Sequence, residues 1–479
     1  MCHSKDNRVY GLDEIIEAIL DGTCSEAQSL RLFALGPEAV KLATLAATKK
    51  IADLKDPEPH PSTPSGQIPV YQKPNLRKRK TRRGAKPGHP AARRKTPERI
   101  DRTQTHRCAQ CPECGGPLQR CQRQRQRLIE DIPRSIETEV TEHTIYRDFC
   151  PQCKKHVEPV VPDALPKASL GHRLVCFTAW LHYGLGVTIA HIMAIMRYHL
   201  QTPLSSGGLL SMWYRLAEIL TDWYEHIGDQ ARGSGHLHAD ETGWRLSGQT
   251  HWLWCFANGS LCYYMIDRSR GSPALQRFFT TLFEGVLITD FWAAYNSVGA
   301  VLRQCCHAHL LRELEKTDKN NTSQAWRAFS KKLRRLIMDA IRLRRREDFS
   351  PTRYAGRTER IEKRLTALLA QETQDPDVNR LRKRLRRHQN DLWTFLHAMD
   401  IPYDNNFAER QIRPAVILRK NSQCNHSENG AATQAVLMSV YQTLKLRGLH
   451  PLKTMASALT QYMKTGQLPP LPDKTVADQ

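Results

Sequence analysis

The chain has 479 residues, and its 71 lysines and arginines against 48 acidic residues give a formal net charge of +23. Hydrophobic residues make up 40%, a globular composition that excludes a mostly disordered chain and predicts about three domains. The charge indicates a polyanionic partner, most commonly nucleic acid, with an acidic membrane surface as the alternative. No run approaches the roughly 18–20 apolar residues that span a bilayer, and the N-terminus shows no signal-peptide pattern. A soluble intracellular protein is expected.

The first hundred residues divide into an apolar and a basic part. Apolar spacing over 10–56 predicts two or three short helices. Residues 57–74 are rich in proline and read as a linker, and 73–102 form a dense basic run. This run is interpreted as a nucleic-acid contact, with a solubilising linker as the alternative. Its candidate DNA-binding residues are Arg77, Lys78, Arg79, Lys80, Arg82, Arg83 and Lys86.

Six of the 14 cysteines fall between positions 108 and 153. Two Cys-x-x-Cys pairs, Cys111 with Cys114 and Cys150 with Cys153, supply the four thiolates of a tetrahedral Zn²⁺ site, with free thiols as the alternative. Strands within 128–146 would complete a zinc ribbon whose arginines touch DNA. Cys108 and Cys121 are spare, and one of them could replace a ligand.

Two stretches predict helices. In 168–230, the segment 187–217 fits either a helix-turn-helix or a plain helical hairpin. Residues 325–399 predict long helices whose basic faces, around 331–346 and 382–387, are either solvated or turned toward DNA.

The region 234–315 changes character. It predicts a short strand followed by a turn over 235–244, strands at 250–257 and 261–267, a helix at 272–283, a strand at 285–289 and a helix from 309. The order of these elements is the layout of an RNase H-like fold. The first strand ends at Asp240, a later strand ends at Asp290, and a late helix carries Glu409.

Three carboxylates brought together by such a fold need a cation. Mg²⁺ prefers oxygen ligands, and two such ions could serve an in-line phosphoryl displacement. Each acid also has a local alternative. Asp240 could begin a turn, Asp290 could cap the following helix, and Glu409 could form a capping box with Asn406. Taken together and in this order, the catalytic interpretation is favoured.

At these residues the chain resembles the DDE transposases of the insertion sequence 66 family, over roughly residues 65–450. The matching strings lie at 84–90 (Gly-Ala-Lys-Pro-Gly-His-Pro), 111–116 (Cys-Pro-Glu-Cys-Gly-Gly), 239–244 (Ala-Asp-Glu-Thr-Gly-Trp), 251–254 (His-Trp-Leu-Trp), 290–295 (Asp-Phe-Trp-Ala-Ala-Tyr), 309–314 (His-Leu-Leu-Arg-Glu-Leu), 405–410 (Asn-Asn-Phe-Ala-Glu-Arg) and 419–420 (Arg-Lys).

The resemblance implies a catalytic triad of Asp240, Asp290 and Glu409 that uses Mg²⁺ or Mn²⁺. It also implies a helical insertion before the final Glu and an enzyme that joins element ends to target DNA. Arg410, Arg419 and Lys420 are candidate phosphate clamps, and His309 is a further candidate. Double-stranded DNA is the expected partner, in a homo-oligomer on the bacterial nucleoid in the cytoplasm. Accessory proteins from the same element are left open. The alternatives are a nuclease without strand transfer and a non-enzymatic DNA-binding protein.

The predicted architecture is a multidomain α/β chain with an RNase H-like core. Its segments are an N-terminal helical segment (1–56), a linker with the basic arm (57–104), a zinc-binding ribbon (105–165), a helical DNA-binding or connector domain (166–232), the first part of the core (233–315), a helical insertion (316–400), the C-terminal core helices (401–465) and a tail (466–479).

Overall fold

A computed structural model of the protein describes residues 11–21, 23–55, 99–118, 126–129, 132, 136–346 and 348–473, with side chains described outside 49–55. The chain forms two compact units. The larger comprises Met1–Pro69, Pro159–Thr188 and Leu209–Gln479, and the smaller comprises Val70–Glu158 and Ile189–Gly208. The architecture is mixed α/β.

The larger unit is built on a mixed five-stranded sheet, ordered β5-β4-β3-β6-β7. Its strands are β3 (His236–Leu246), β4 (Gln249–Asn258), β5 (Leu261–Asp267), β6 (Phe283–Thr289) and β7 (Ala300–Cys305). Strand β4 runs antiparallel to β3 and β5, while β3, β6 and β7 are parallel. The β3–β4 turn places both Ser247 and Gly248 at positive φ, as a two-residue turn matched to the strand twist requires.

Three features of the sheet differ from the sequence prediction. Strand β3 continues past Asp240 to Leu246, because β4 pairs with it along that whole length. Strand β7 was not predicted, and it pairs with β6 at the edge of the sheet. Helix α8 (Ser272–Phe278) ends five residues earlier than the predicted 272–283, because the chain enters β6 at Phe283.

Helices α7 (Thr221–Arg232), α14 (Asn406–Ser422) and α15 (Glu428–Leu446) pack on this sheet. The further helices of this region are α4 (His172–Ala179), α6 (Ser206–Ile219) and α16 (Pro451–Thr465), and a π-helical turn, Trp180–Gly184, follows α4. Helix α15 closes the open edge at β5. Ser439 Oγ accepts from Tyr264 N–H at 2.9 Å, and Thr443 Oγ1 accepts from Cys262 N–H at 3.1 Å. Backbone donors that would otherwise template another strand are thereby satisfied.

Residues 307–397 are helical, as predicted for the region of the insertion. They form α9 (His307–Asn320), α10 (Gln324–Arg344), α11 (Pro351–Ala370), α12 (Pro376–Arg387) and α13 (Thr394–His397), and a 3₁₀ turn, Asn390–Leu392, precedes α13. Trp326 and Leu381 share one apolar cluster with the sheet residues Ile288 and Cys305. This helical subdomain therefore packs on the sheet instead of forming a core of its own.

The N-terminal residues form three short helices, α1 (Leu12–Leu20), α2 (Glu26–Ala34) and α3 (Pro37–Lys55), in agreement with the prediction of two or three. Ile15, Leu32, Ala39 and Ala43 are buried together in a small separate cluster. No helix in the described ranges is both long and apolar enough to cross a bilayer.

The smaller unit contains helix α5 (Ile189–Tyr198) and a two-stranded hairpin of β1 (Asp148–Cys150) and β2 (Lys155–Val157). The prediction of ribbon strands within 128–146 is wrong for the described residues of that range, which form no strand. The hairpin instead encloses the second Cys-x-x-Cys turn, because the tight turn at 151–154 reverses the chain there.

Candidate active site

The first two candidate acids follow the paired parts of neighbouring parallel strands. The β3–β6 ladder ends where His238 lies opposite Ile288. Asp240 and Asp290 each come two residues after this pair, so they hold equivalent positions on strands about 4.8 Å apart. The structure therefore brings these two side chains together where the parallel ladder ends.

Asp240 and Asp290 lie close to other acids, and the charges of His309 and Arg270 only partly offset the rise in the pKa of Asp290. Burial raises the pKa of Asp240 well above its usual value, and the charges of Glu241, Asp290 and Glu409 raise it further. Burial, followed by the charge of Glu241, raises the pKa of Asp290 to about 6. Across the described residues neither acid forms an ion pair, and each accepts a hydrogen bond from a nearby backbone N–H. The two carboxylates thus form a site that favours a cation.

Glu241, beside Asp240, is compensated. Its Oε1 accepts from Arg270 Nη2 at 3.0 Å and from Nε at 3.1 Å, and its Oε2 accepts from the Tyr295 hydroxyl at 2.8 Å. The Arg270 guanidinium lies between the Trp252 and Trp292 rings, 4.5 and 4.1 Å from their centroids. Glu241 is therefore held as a structural ion pair beneath the acidic pair. Arg270 was not among the residues predicted from the sequence. The only related signal there was the aromatic content of the strands.

The structure gives a different outcome for each of the three local roles that were the alternatives for Asp240, Asp290 and Glu409. The turn proposed for Asp240 is wrong, because this residue lies inside β3. Asp290 does accept from Trp292 N–H at 2.8 Å, just before a 3₁₀ helix, so a local turn role is present beside its place in the cluster. The capping box of Glu409 is not formed, because α14 begins after Asn405 and has no side-chain cap.

The start of α14 is fixed to the sheet by Asn405, which is buried. Its Nδ2 donates to Ala239 O at 2.8 Å, and its Oδ1 accepts from His238 Nδ1 at 2.9 Å. Its backbone N–H donates to Cys306 Sγ at 3.1 Å. These contacts hold Glu409, one turn into the helix, close to Asp240 of β3. Sequence analysis missed this positioning role of Asn405, although the residue lies in the motif that was quoted.

Glu409 is paired in this structure. Its Oε1 accepts from Arg312 Nη2 at 2.6 Å and lies 3.6 Å from His309 Nε2. Both partners come from α9, the helix after β7. Burial and the charge of Arg312 lower the pKa of His309. The negative charges of Asp290 and Glu409 act in the opposite direction and raise the pKa of His309, so this ring lies close to both acids.

These raised pKa values predict an unusual pH dependence in the absence of divalent metal. The folded state binds more protons than the unfolded state between about pH 4 and pH 6, so the contribution of Asp290 to stability falls as pH rises through that window. Asp290→Asn should therefore flatten the profile. Urea unfolding of both proteins in EDTA at several pH values measures the difference. Parallel profiles for the two proteins would contradict this assignment.

The four candidate zinc ligands lie in the smaller unit as two local pairs. Backbone N–H groups of each turn lower the pKa of the first thiol, that of Cys111 in one pair and of Cys150 in the other. The four sulfurs do not converge within 4.8 Å. Within the described residues, another group, Cys305, His388 and Asp391, does bring its ligand atoms within 4.8 Å of one another. Zinc binding by the four cysteines stays a prediction.

The candidate DNA-binding residues fall into two sets. Those between Arg77 and Lys86 lie outside the described residues. On α14, Arg410 and Lys420 are exposed, while Arg419 is partly buried and donates to Thr242 Oγ1 and to the Gly243 carbonyl. Arg419 therefore fastens α14 to β3, and its buried Nη2 has no hydrogen-bond partner among the described protein atoms.

Comparison with known proteins agrees with these features. The model of the "Transposase IS66 family" matches residues 167–433, more than half of the chain. The chain is 27% identical over 343 residues to "Uncharacterized protein y4qI" of Sinorhizobium fredii, which covers 64% of this chain and 62% of that protein. It is 25% identical to "Uncharacterized protein y4jD" of the same organism, over 42% of each. The match thus spans less than two thirds of either relative. The chain belongs to the IS66 family of transposases.

Proposed function

We propose that the chain is a DNA transposase that binds the terminal inverted repeats of a bacterial insertion sequence and catalyses DNA strand cleavage and strand transfer by a DDE mechanism. The observation that carries this proposal is the pair Asp240 and Asp290. They hold equivalent positions on adjacent strands, their pKa values are raised, and they form no ion pair with the described residues.

The proposed core is RNase H-like. Three properties of the sheet support this assignment. The first strand, β3, is central, a hairpin of two strands continues from it on one side, and two parallel strands extend it on the other. The third acid, Glu409, arrives on a helix that follows the helical subdomain. This is the layout expected from the order of acids along the sequence.

The chemistry of these donors fits Mg²⁺ or Mn²⁺. The facing groups are carboxylate oxygens, which hard divalent ions prefer, and no ion pair with the described residues neutralises Asp240 or Asp290. Asp240 and Asp290 would hold such ions, and Glu409 would join them once Arg312 releases it. When bound, the ions would activate the attacking hydroxyl and neutralise the charge that develops on the phosphate.

The residues of the chain would act in two steps. Asp240, Asp290 and Glu409 first align the phosphodiester at the element end. There a water oxygen forms a new bond to phosphorus, and the bond between phosphorus and the 3′ oxygen breaks. The 3′ oxygen leaves with the electron pair of that bond and takes a proton to become a 3′-OH. That 3′-OH then attacks a target phosphodiester in the same way. Each step exchanges one P–O bond for another, so no covalent enzyme intermediate is needed.

Binding of DNA is assigned to the basic arm, the cysteine module and the exposed cations of α14. Arg410 directly follows Glu409 on α14 and Lys420 lies near the end of that helix, and both side chains are exposed, so phosphate at the surface would be within their reach. A cysteine module folded around zinc would serve the same role. Because such contacts release counterions, affinity should fall steeply with salt.

The experiment that tests the function incubates labelled element ends with a target plasmid, with Mg²⁺ or with EDTA. A joined product that forms only with the metal is expected. Metal-dependent cleavage without joined product would identify a nuclease instead. Binding of the ends with neither product would identify a non-enzymatic DNA-binding protein.

A further inference from the structure

A second cluster of ligand-type side chains lies beside the acidic site. One ligand atom each of Cys305, His388 and Asp391 lies within 4.8 Å of the other two. Cys305 and His388 are 4% and 7% exposed, and the side chain of Asp391 is 24% exposed. His388 Nδ1 lies 2.9 Å from Asp391 Oδ2. The cluster is thus preassembled and largely buried, with one opening toward solvent.

The three residues come from two different elements. Cys305 ends β7, while His388 and Asp391 flank the turn after α12, 83 or more residues later. Hydrogen bonds already join these segments. The Leu392 carbonyl accepts from His307 Nε2 at 2.7 Å and from Gln304 Nε2 at 3.2 Å. The ligand atoms therefore meet where the helical subdomain joins the sheet.

We propose that Cys305, His388 and Asp391 bind one Zn²⁺ ion, with water as the fourth ligand. A thiolate, an imidazole and a carboxylate match the ligand classes of zinc, whereas Mg²⁺ would not select sulfur. The thiolate and carboxylate together balance the charge of the ion. An open cavity lined by Asn296, Arg303, Arg387, His388 and Asp391 gives access for the water.

This ion fastens the helical subdomain to the sheet next to the acidic pair. The His388 ring packs edge-on against Phe291, with centroids 5.8 Å apart, and Phe291 directly follows Asp290. Fixing His388 therefore fixes the backbone that carries Asp290. The proposal stands on this cluster alone and does not depend on the function proposed above.

The test measures zinc per chain on a background that lacks the other candidate site, with all four of Cys111, Cys114, Cys150 and Cys153 changed to serine. We expect about one zinc ion per chain after purification, since three protein ligands and a water complete the site. His388→Gln and Asp391→Asn on that background should each lose most of it. His397→Gln is the matched control, because His397 forms a similar pair with Glu362 at 2.7 Å without a cysteine nearby.

Two results would overturn the proposal. One is a four-serine protein that contains no zinc, and the other is zinc that persists in both variants. If a variant fails to fold, the site can still be tested by replacing zinc with cobalt and recording the absorption spectrum. On the folded four-serine protein, a thiolate-to-cobalt absorption band that is absent after Cys305→Ser supports the site. Absence of that band from the parent protein counts against it.

Discussion

Asp240→Asn is expected to abolish strand cleavage and joining while leaving the protein at least as stable as the wild type. The amide removes one negative charge from the pair that would hold the divalent ions. Loss of several kcal/mol of charge stabilisation at the reacting phosphate corresponds to a fall in rate of about 10³-fold or more. Binding of DNA should change little, because the exposed cations are untouched.

The stability half of this expectation follows from the charges around Asp240. Its carboxylate is partly buried next to Glu241 and Asp290 and forms no ion pair with the described residues, so its ionised form opposes folding. An uncharged amide of the same size relieves that repulsion. In EDTA at pH 7, the midpoint of thermal unfolding should therefore stay the same or rise. An acid that served only the fold would show the opposite change.

The measurement pairs the joining assay with thermal unfolding of each purified protein. Asp339→Asn is the matched control, because Asp339 is an acid of the helical subdomain that pairs with Arg364 at 2.9 Å, away from the sheet. It should keep its activity. Joining by Asp240→Asn at a tenth or more of the wild-type rate would remove Asp240 from the catalytic set.

Arg270→Met is expected to destabilise the fold by about 3–5 kcal/mol, since it leaves a buried carboxylate without its partner. Arg270 is the cationic partner of Glu241, whose side chain is 3% exposed. The substitution also removes the cation that lies between the rings of Trp252 and Trp292. The unpaired charge of Glu241 would then add to the repulsion already felt by Asp240 and Asp290.

A double substitution separates the charge effect from lost packing. Glu241→Gln together with Arg270→Met removes both charges, so this protein should recover part of the loss. Lys363→Met is the matched control, because Lys363 and Glu359 form a 2.6 Å pair that is mostly exposed, and it should cost about 0–1 kcal/mol. Urea unfolding in EDTA compares the four proteins. An Arg270→Met loss no larger than that of the control would refute the structural role of this pair.

Much of the sheet could be predicted from local pattern. Strand β5 was predicted with its observed bounds, because the Asn258–Gly259 turn marks its start as the return strand of a hairpin. Strand β7 was not predicted because Val301 and Leu302 are exposed at an edge of the sheet, so its sequence lacks the pattern of a buried strand. Its pairing with β6 decides that it is a strand, and that pairing also brings Cys305 to the helical subdomain.

The family, the acids worth testing and the helical character of 325–399 could be read from the amino-acid sequence, because they depend on motifs and on periodicity within short segments. The tertiary structure alone decided which acids are compensated. Glu241 meets Arg270 across 29 residues and Glu409 meets Arg312 across 97, while Asp240 and Asp290 form no ion pair with the described residues. Compensation of charge depends on distance in space, and residues so far apart in the chain become neighbours only when the sheet and helices have packed.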